Sequence, residues 1–107
     1  MRKLLTNDLF KFTRLIKEIG IKEDIKQFSL TIDKQQNIEA IGFDFIFVIL
    51  EKTADEKSER LIYEFLSGPF EMTADEVANM EVFELVEAIN KIADLEKWRN
   101  FLKIATR

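Results

Sequence analysis

A chain of 107 residues, 47% apolar and with ten phenylalanines, has the length of one domain and the material for a packed core, which excludes an intrinsically disordered chain. It contains no cysteine and no histidine, so disulfide frameworks, thiolate catalysis and cysteine zinc sites drop out, as do the usual general base and metal ligand. Sixteen basic against twenty acidic side chains leave a net charge of −4, which argues against a phosphate-binding surface and hence against a nucleic-acid partner.

Taken in chain order, Thr6 or Asn7 is placed to cap a first helix. Its apolar residues Leu9, Phe12, Leu15, Ile16 and Ile19 follow i, i+3, i+4 spacing up to a capping Gly20, while Lys11, Arg14, Lys17 and Glu18 occupy the other face. Ile21, Ile25 and Phe28 mark a short second helix, either separate or joined to the first as one bent element. From Phe28 to Ile32 apolar and polar residues alternate, which by periodicity predicts a five-residue strand. A lone strand needs a partner. The residues Ile41, Phe43, Phe45, Phe47 and Ile49, beyond the polar turn Asp33-Lys-Gln-Gln-Asn37, supply period two for a hairpin. The same segment reads as a buried helix through Ile38, Ile41, Phe45, Val48 and Ile49, and its length favours the helix, although Gly42 weakens either assignment.

The tetrapeptide Thr-Ala-Asp-Glu then occurs twice, at Thr53 to Glu56 and at Thr73 to Glu76. Each has the form of a capping box, with the threonine hydroxyl and the glutamate carboxylate each taking a backbone N–H at the helix start. The first box predicts a helix with Leu61, Ile62, Phe65 and Leu66 inward and Lys57 and Arg60 outward, ending at Gly68-Pro69. The second predicts two turns to Met80 with Val77 inward, followed by a helix over Val82 to Ala93 with Val82, Leu85, Val86 and Ile89 on one side. Asp94 caps a last helix whose stripe is Leu95, Trp98, Phe101 and Leu102, with Lys103 and Arg107 at the negative end of its dipole.

Charge is unevenly spread. Residues 1–36 carry eight bases against five acids, 51–90 three against eleven, and 91–107 five against two, so the middle is acidic and both ends are basic. Met1 to Leu5 lack the apolar core of a signal peptide, and the longest apolar run, Phe45 to Leu50, is far short of a membrane span. A cytoplasmic protein with no membrane partner is expected. The acid pairs Glu23/Asp24, Asp55/Glu56 and Asp75/Glu76 fall near helix N-termini, where the dipole accounts for them, and no phosphate loop, EF-hand or metal-ligand spacing is present. No enzyme activity and no cofactor are expected. Asp44, between Phe43 and Phe45, is expected to face solvent on the narrow polar side of its helix rather than to be buried with a basic partner. Four basic residues, Lys11, Arg14, Lys17 and Lys22, suit a solvated helix face better than a nucleic-acid reader.

The aromatics of the C-terminal half carry the remaining signal. Trp98, Phe101 and Leu102, with Phe70 in the Gly-Pro-Phe turn, are candidate partner-binding residues, because large side chains near a chain end and in a loop are the usual anchors of interfaces. Core packing is the competing reading, and exposure of Trp98 separates the two.

The order of helices resembles the small tail assembly chaperones of long-tailed bacteriophages and prophages of Gram-positive bacteria. The residues that carry the resemblance are the basic first helix Asp8-Leu-Phe-Lys-Phe-Thr-Arg-Leu-Ile-Lys, then Leu61-Ile-Tyr-Glu-Phe-Leu-Ser67. The short Thr73-Ala-Asp-Glu-Val77 helix, Val82-Phe-Glu-Leu-Val-Glu-Ala-Ile89 and a last helix with Phe101 complete it. The resemblance implies a non-enzymatic assembly factor that binds the long tape measure protein before the tail tube forms and keeps it soluble. Self-association through Trp98, Phe101 and Leu102 is a separate expectation, alternative to their binding the partner. Many members are also made in a longer frameshifted form, and this chain would correspond to the short one. The expectation is therefore an all-α, single-domain bundle over 1–107 of about five to six helices, with a small β-hairpin within 28–50 as the alternative. A helical adaptor or regulatory protein binding one protein partner is the competing function.

Overall fold

Seven α-helices follow one another in the computed structural model, which describes residues 1–32, 38–52 and 55–107, with backbone alone for 38–40. They are α1 (Thr6–Ile19), α2 (Lys22–Thr31), α3 (Ile38–Lys52), α4 (Glu56–Phe70), α5 (Ala74–Ala78), α6 (Val82–Ile92) and α7 (Leu95–Ala105). No strand occurs among the described residues, so the all-α expectation holds, but with more helices than the five to six expected. Gly20 accounts for part of the difference. It adopts the left-handed conformation (φ 81°, ψ 31°), and the N–H groups of Gly20 and Ile21 both donate to the Ile16 carbonyl, at 2.9 and 3.0 Å. Glycine enters this region without the steric cost other residues meet, so α1 stops and α2 begins as a separate helix.

The strand expected at Phe28–Ile32 is instead helical as far as Thr31. Ile21, Ile25, Phe28 and Ile32 are buried, whereas Leu30, which alternation puts on the same face as Phe28 and Ile32, is 62% exposed. The two hydroxyls that create the alternation turn back onto helix carbonyls: Ser29 Oγ donates to Lys26 O and Thr31 Oγ1 to Phe28 O, both at 2.7 Å. With its first strand helical, the hairpin is lost, and Ile41 to Ile49 lie in α3 as the helical reading expects. The turn expected at Asp33–Asn37 lies outside the described residues.

Helix starts follow the acid and hydroxyl rule, with two shifts. At Thr73 the capping box forms as expected, Thr73 Oγ1 accepting the Glu76 N–H at 3.1 Å and Glu76 Oε1 the Thr73 N–H at 3.0 Å. In the first copy of the tetrapeptide the cap of α4 is Asp55, whose carboxylate takes the Ser58 N–H at 2.7 Å; Thr53 lies outside the described residues. The start of α1 also shifts. Leu5, not Thr6 or Asn7, is its N-cap, and Asp8 reaches back to the Leu5 N–H at 2.7 Å. Asp94 caps α7 as expected, its Oδ1 accepting the Lys97 N–H at 2.9 Å.

The expected stop at Gly68-Pro69 falls inside the last turn of α4, which ends at Glu71 in the left-handed region (φ 57°, ψ 46°). Glu71 N donates to Gly68 O at 3.1 Å and Met72 N to Ser67 O at 3.2 Å, a Schellman-type close. Gly68 has a second use. A Cβ there would come within 2.8 Å of the Arg2 guanidinium, so its bareness lets the N-terminal segment close over the end of α4, where Arg2 N also donates to Pro69 O at 2.9 Å.

The core is one cluster to which α1, α2, α4, α6 and α7 each give buried side chains. The Phe12 ring lies 5.2 Å from Phe65 and 5.5 Å from Phe101, and Trp98 meets Phe101 edge-on at 5.6 Å. The radius of gyration, 12.7 Å, is close to the roughly 13 Å expected of a folded domain this long.

Candidate protein-binding cleft

The sequence makes α3 apolar on nearly every side, and a helix of that kind asks for cover all round. One side obtains it. Gly42 lets α3 approach α6 so closely that a Cβ at position 42 would stand 2.8 Å from Val86 Cγ1, while Phe45 packs against Phe28 of α2 at 5.5 Å. The remaining arc is only partly covered.

Between α3 and the α4–α5–α6 segment lies an apolar cleft of about 340 Å³. Ile46, Ile49 and Leu50 of α3 form one wall, and Ile62, Tyr63, Met80, Val82 and Leu85 belong to the opposite elements; Phe12, Ile25 and Trp98 reach it from within the bundle. Its volume is more than twice that of the ~150 Å³ cavity known to hold a benzene, which leaves room for two or so large apolar side chains from outside. Glu59 is the only charged residue among the described lining residues, and its carboxylate accepts the Tyr63 hydroxyl at 2.8 Å. Burial and then this bond raise the Tyr63 phenol above its ordinary value, so it stays a neutral donor at physiological pH.

Outside the cleft, an apolar ridge continues over α3 and α6. Phe47 and Phe83 are 60% and 64% exposed, Phe43 meets Phe83 edge-on at 5.6 Å, and Leu50 and Val82 are exposed while also lining the cleft. Phe43, Phe47 and Leu50 follow one another at i, i+4, i+7, the spacing with which one helix offers a seam to another.

The bases around this surface are already engaged. Lys57 Nζ lies 3.4 Å from Glu18, Lys52 Nζ 3.8 Å from Asp24, and Arg60 contacts Asp75 at 2.7 Å and Glu64 at 3.8 Å. Exposed pairs of this sort contribute at most about 1 kcal/mol each. Their consequence here is to neutralise cations and leave the surrounding acids in excess.

Of the four residues singled out from sequence, Trp98 alone lines the cleft, and it does so as a buried wall residue. Its Nε1–H donates to the Ile89 carbonyl at 2.8 Å, near the end of α6. Leu102 and Phe70 are each 2% exposed and Phe101 is half-buried, so exposure favours core packing for Trp98, Leu102 and Phe70 and leaves Phe101 at the edge of the core. The exposed aromatics are Phe10, Phe47 and Phe83 among the described residues. The sequence signal for two of them was the surplus of apolar residues around α3 and at the start of α6, more than one helix face can bury.

Asp44 is exposed, as expected, and so are Lys11, Arg14 and Lys17. The acid pairs have structural partners: Glu23 accepts from Gln27 at 3.3 Å, Asp24 meets Lys52, Asp55 caps α4, and Asp75 meets Arg60. No group of three or more acids that could hold a metal ion exists among the described residues, and no helix among them is long and apolar enough to cross a membrane. Compared with protein-family models, with curated proteins and with solved structures, the chain matches none.

Proposed function

We propose that this chain is a non-enzymatic chaperone of phage or prophage tail assembly, which holds a helical segment of the tape measure protein in the cleft between α3 and α4–α6. The observation that carries this reading is the cleft itself, a largely apolar opening of about 340 Å³ with an exposed apolar ridge on its lip. Helix-in-groove recognition needs such a surface, with anchors entering at i, i+3, i+4 and i+7. Trp98 forms part of its wall, with Phe101 edge-on behind it.

The energetics suit a chaperone. Burying three or four partner side chains, two or so in the cleft and the rest on the ridge, supplies roughly 6–10 kcal/mol, and association removes at least about 4, which leaves at most weak binding, in the range of tens of millimolar to tens of micromolar, at any one site. A long partner with many helical segments turns such weak sites into firm retention through avidity, and still allows release site by site.

The test is to co-express the full chain with the products of its neighbouring genes and identify what it retains by affinity capture and mass spectrometry. Recovery of a very long, helix-rich protein that is insoluble when made alone is the expected result. Recovery of a short regulator moves the function to a helical adaptor, and recovery of nothing contradicts both.

A further inference from the structure

Resting on the reading of this cleft as a helix-binding site, we infer that its occupant is an amphipathic helix with lysine or arginine flanking its apolar face. The argument is charge complementarity. Asp44 and Glu51 stand on α3, which bears the ridge, Glu59 lines the cleft from α4, Glu84 and Glu87 belong to α6, and Glu81 is the N-cap of that helix. All but Glu59 lie outside the lining itself, and all six are exposed. The cations of α3 and α4 face acids of their own chain, as described above, and Lys91 stands at the opposite end of α6, about 12 Å along the helix from Phe83. An acidic rim around an apolar surface steers basic partners and repels acidic ones, acting on encounter and choice of partner more than on raw affinity.

A second copy of this chain does not meet the requirement. Its basic helix α1 buries Phe12, Leu15 and Ile16 in the core and offers Phe10 as its one exposed large apolar side chain; α7 likewise offers only Ile104. Neither supplies the run of anchors a groove takes. Its α3 ridge does have the run, at Phe43, Phe47 and Leu50, but brings acids to acids.

Three labelled peptides of about five helical turns test this, identical in a Leu/Phe face and flanked by Lys, by Gln or by Glu, titrated against the full chain by fluorescence anisotropy. The Lys peptide is expected to bind about tenfold tighter than the Glu peptide, with Gln between, and salt should narrow the gap. The exposed triple change Glu51→Lys/Glu84→Lys/Glu87→Lys should abolish the order, and Phe47→Ser/Phe83→Ser should weaken the Lys peptide about tenfold, with circular dichroism confirming that both variants fold. Equal binding of all three peptides, or binding of none, overturns the inference. So does self-association that competes the Lys peptide away, or displacement of it by a small apolar ligand that binds without regard to the rim charges. Recovery of a tape measure protein together with no charge order sinks this inference and leaves the proposed function standing; charge order without such a partner does the reverse.

Discussion

Single residues show how little surplus this domain has. Trp98 does two things at once: it packs between α6 and α7, and its indole N–H donates to the Ile89 carbonyl. Trp98→Phe keeps most of the volume and removes that hydrogen bond, and is expected to cost about 0.5–1.5 kcal/mol in urea unfolding, whereas Trp98→Ala adds a cavity and should cost about 3–5. Asp8 is the one fully buried acid among the described residues, held by Arg2 at 2.6 and 3.1 Å and by the Leu5 N–H at 2.7 Å. Burial opposes its ionised form, but the Arg2 hydrogen bond, the Leu5 N–H and the charges of Arg2 and Lys11 outweigh it and hold the carboxyl below its ordinary value. A depressed folded-state pKa means stability that is complete above the unfolded value near 4 and is lost as the pH falls through the lower folded value. Unfolding followed from pH 6 to pH 2 should therefore show acid loss in the wild type. Asp8→Asn should be less stable at neutral pH and show a shallower acid limb; parallel curves would contradict the role given to this pair.

At the scale of the element, the sequence was most legible where a helix has one apolar face and a cap of its own. α1, α6 and α7 follow the i, i+3, i+4 pattern, and Asp94 and the Thr73 box sit where their chemistry places them. It was least legible at Phe28–Ile32. Over five residues, periods of 2 and 3.6 both bring i and i+4 to the same face, and only the position of Leu30 separates them; burial against α3 and α7 decided it. Gly42 belongs to the same class, since a glycine inside a helix signals weakness until the neighbour that needs its bareness is known. That neighbour is Val86. Gly42→Ala gains about 1 kcal/mol of helix propensity but forces a stiff β-branched side chain to move, and we expect a net loss of about 1–2 kcal/mol in the wild-type background. In a Val86→Ala background the same change should be neutral or stabilising. A double-mutant cycle with no coupling would refute the close α3–α6 approach.

For the whole molecule, the candidate site was only half visible beforehand. The large aromatics near the C-terminus attract attention in the sequence, yet a domain of this size needs them inside, and Trp98, Leu102 and Phe70 are buried. What sequence could not place was the residue class left over: Phe47, Leu50, Val82 and Phe83 look like core until the bundle is built and leaves them exposed among the described residues. The acidic middle, by contrast, was legible as a number, and the fold puts part of it, Glu59 in the cleft lining and Glu51, Glu84 and Glu87 on α3 and α6, on the elements that bear the ridge and cleft. On the proposed function, this is a small domain with one core of its own that offers the exposed ridge of α3 to a partner helix. Hydrogen exchange of the full chain, alone and in complex with the partner captured by co-expression, tests that most directly. The account predicts that the partner slows exchange over residues 45–50 and 77–85 and leaves α1 and α7 as they were. Protection confined to α1 or α7, with the cleft unchanged, would contradict it.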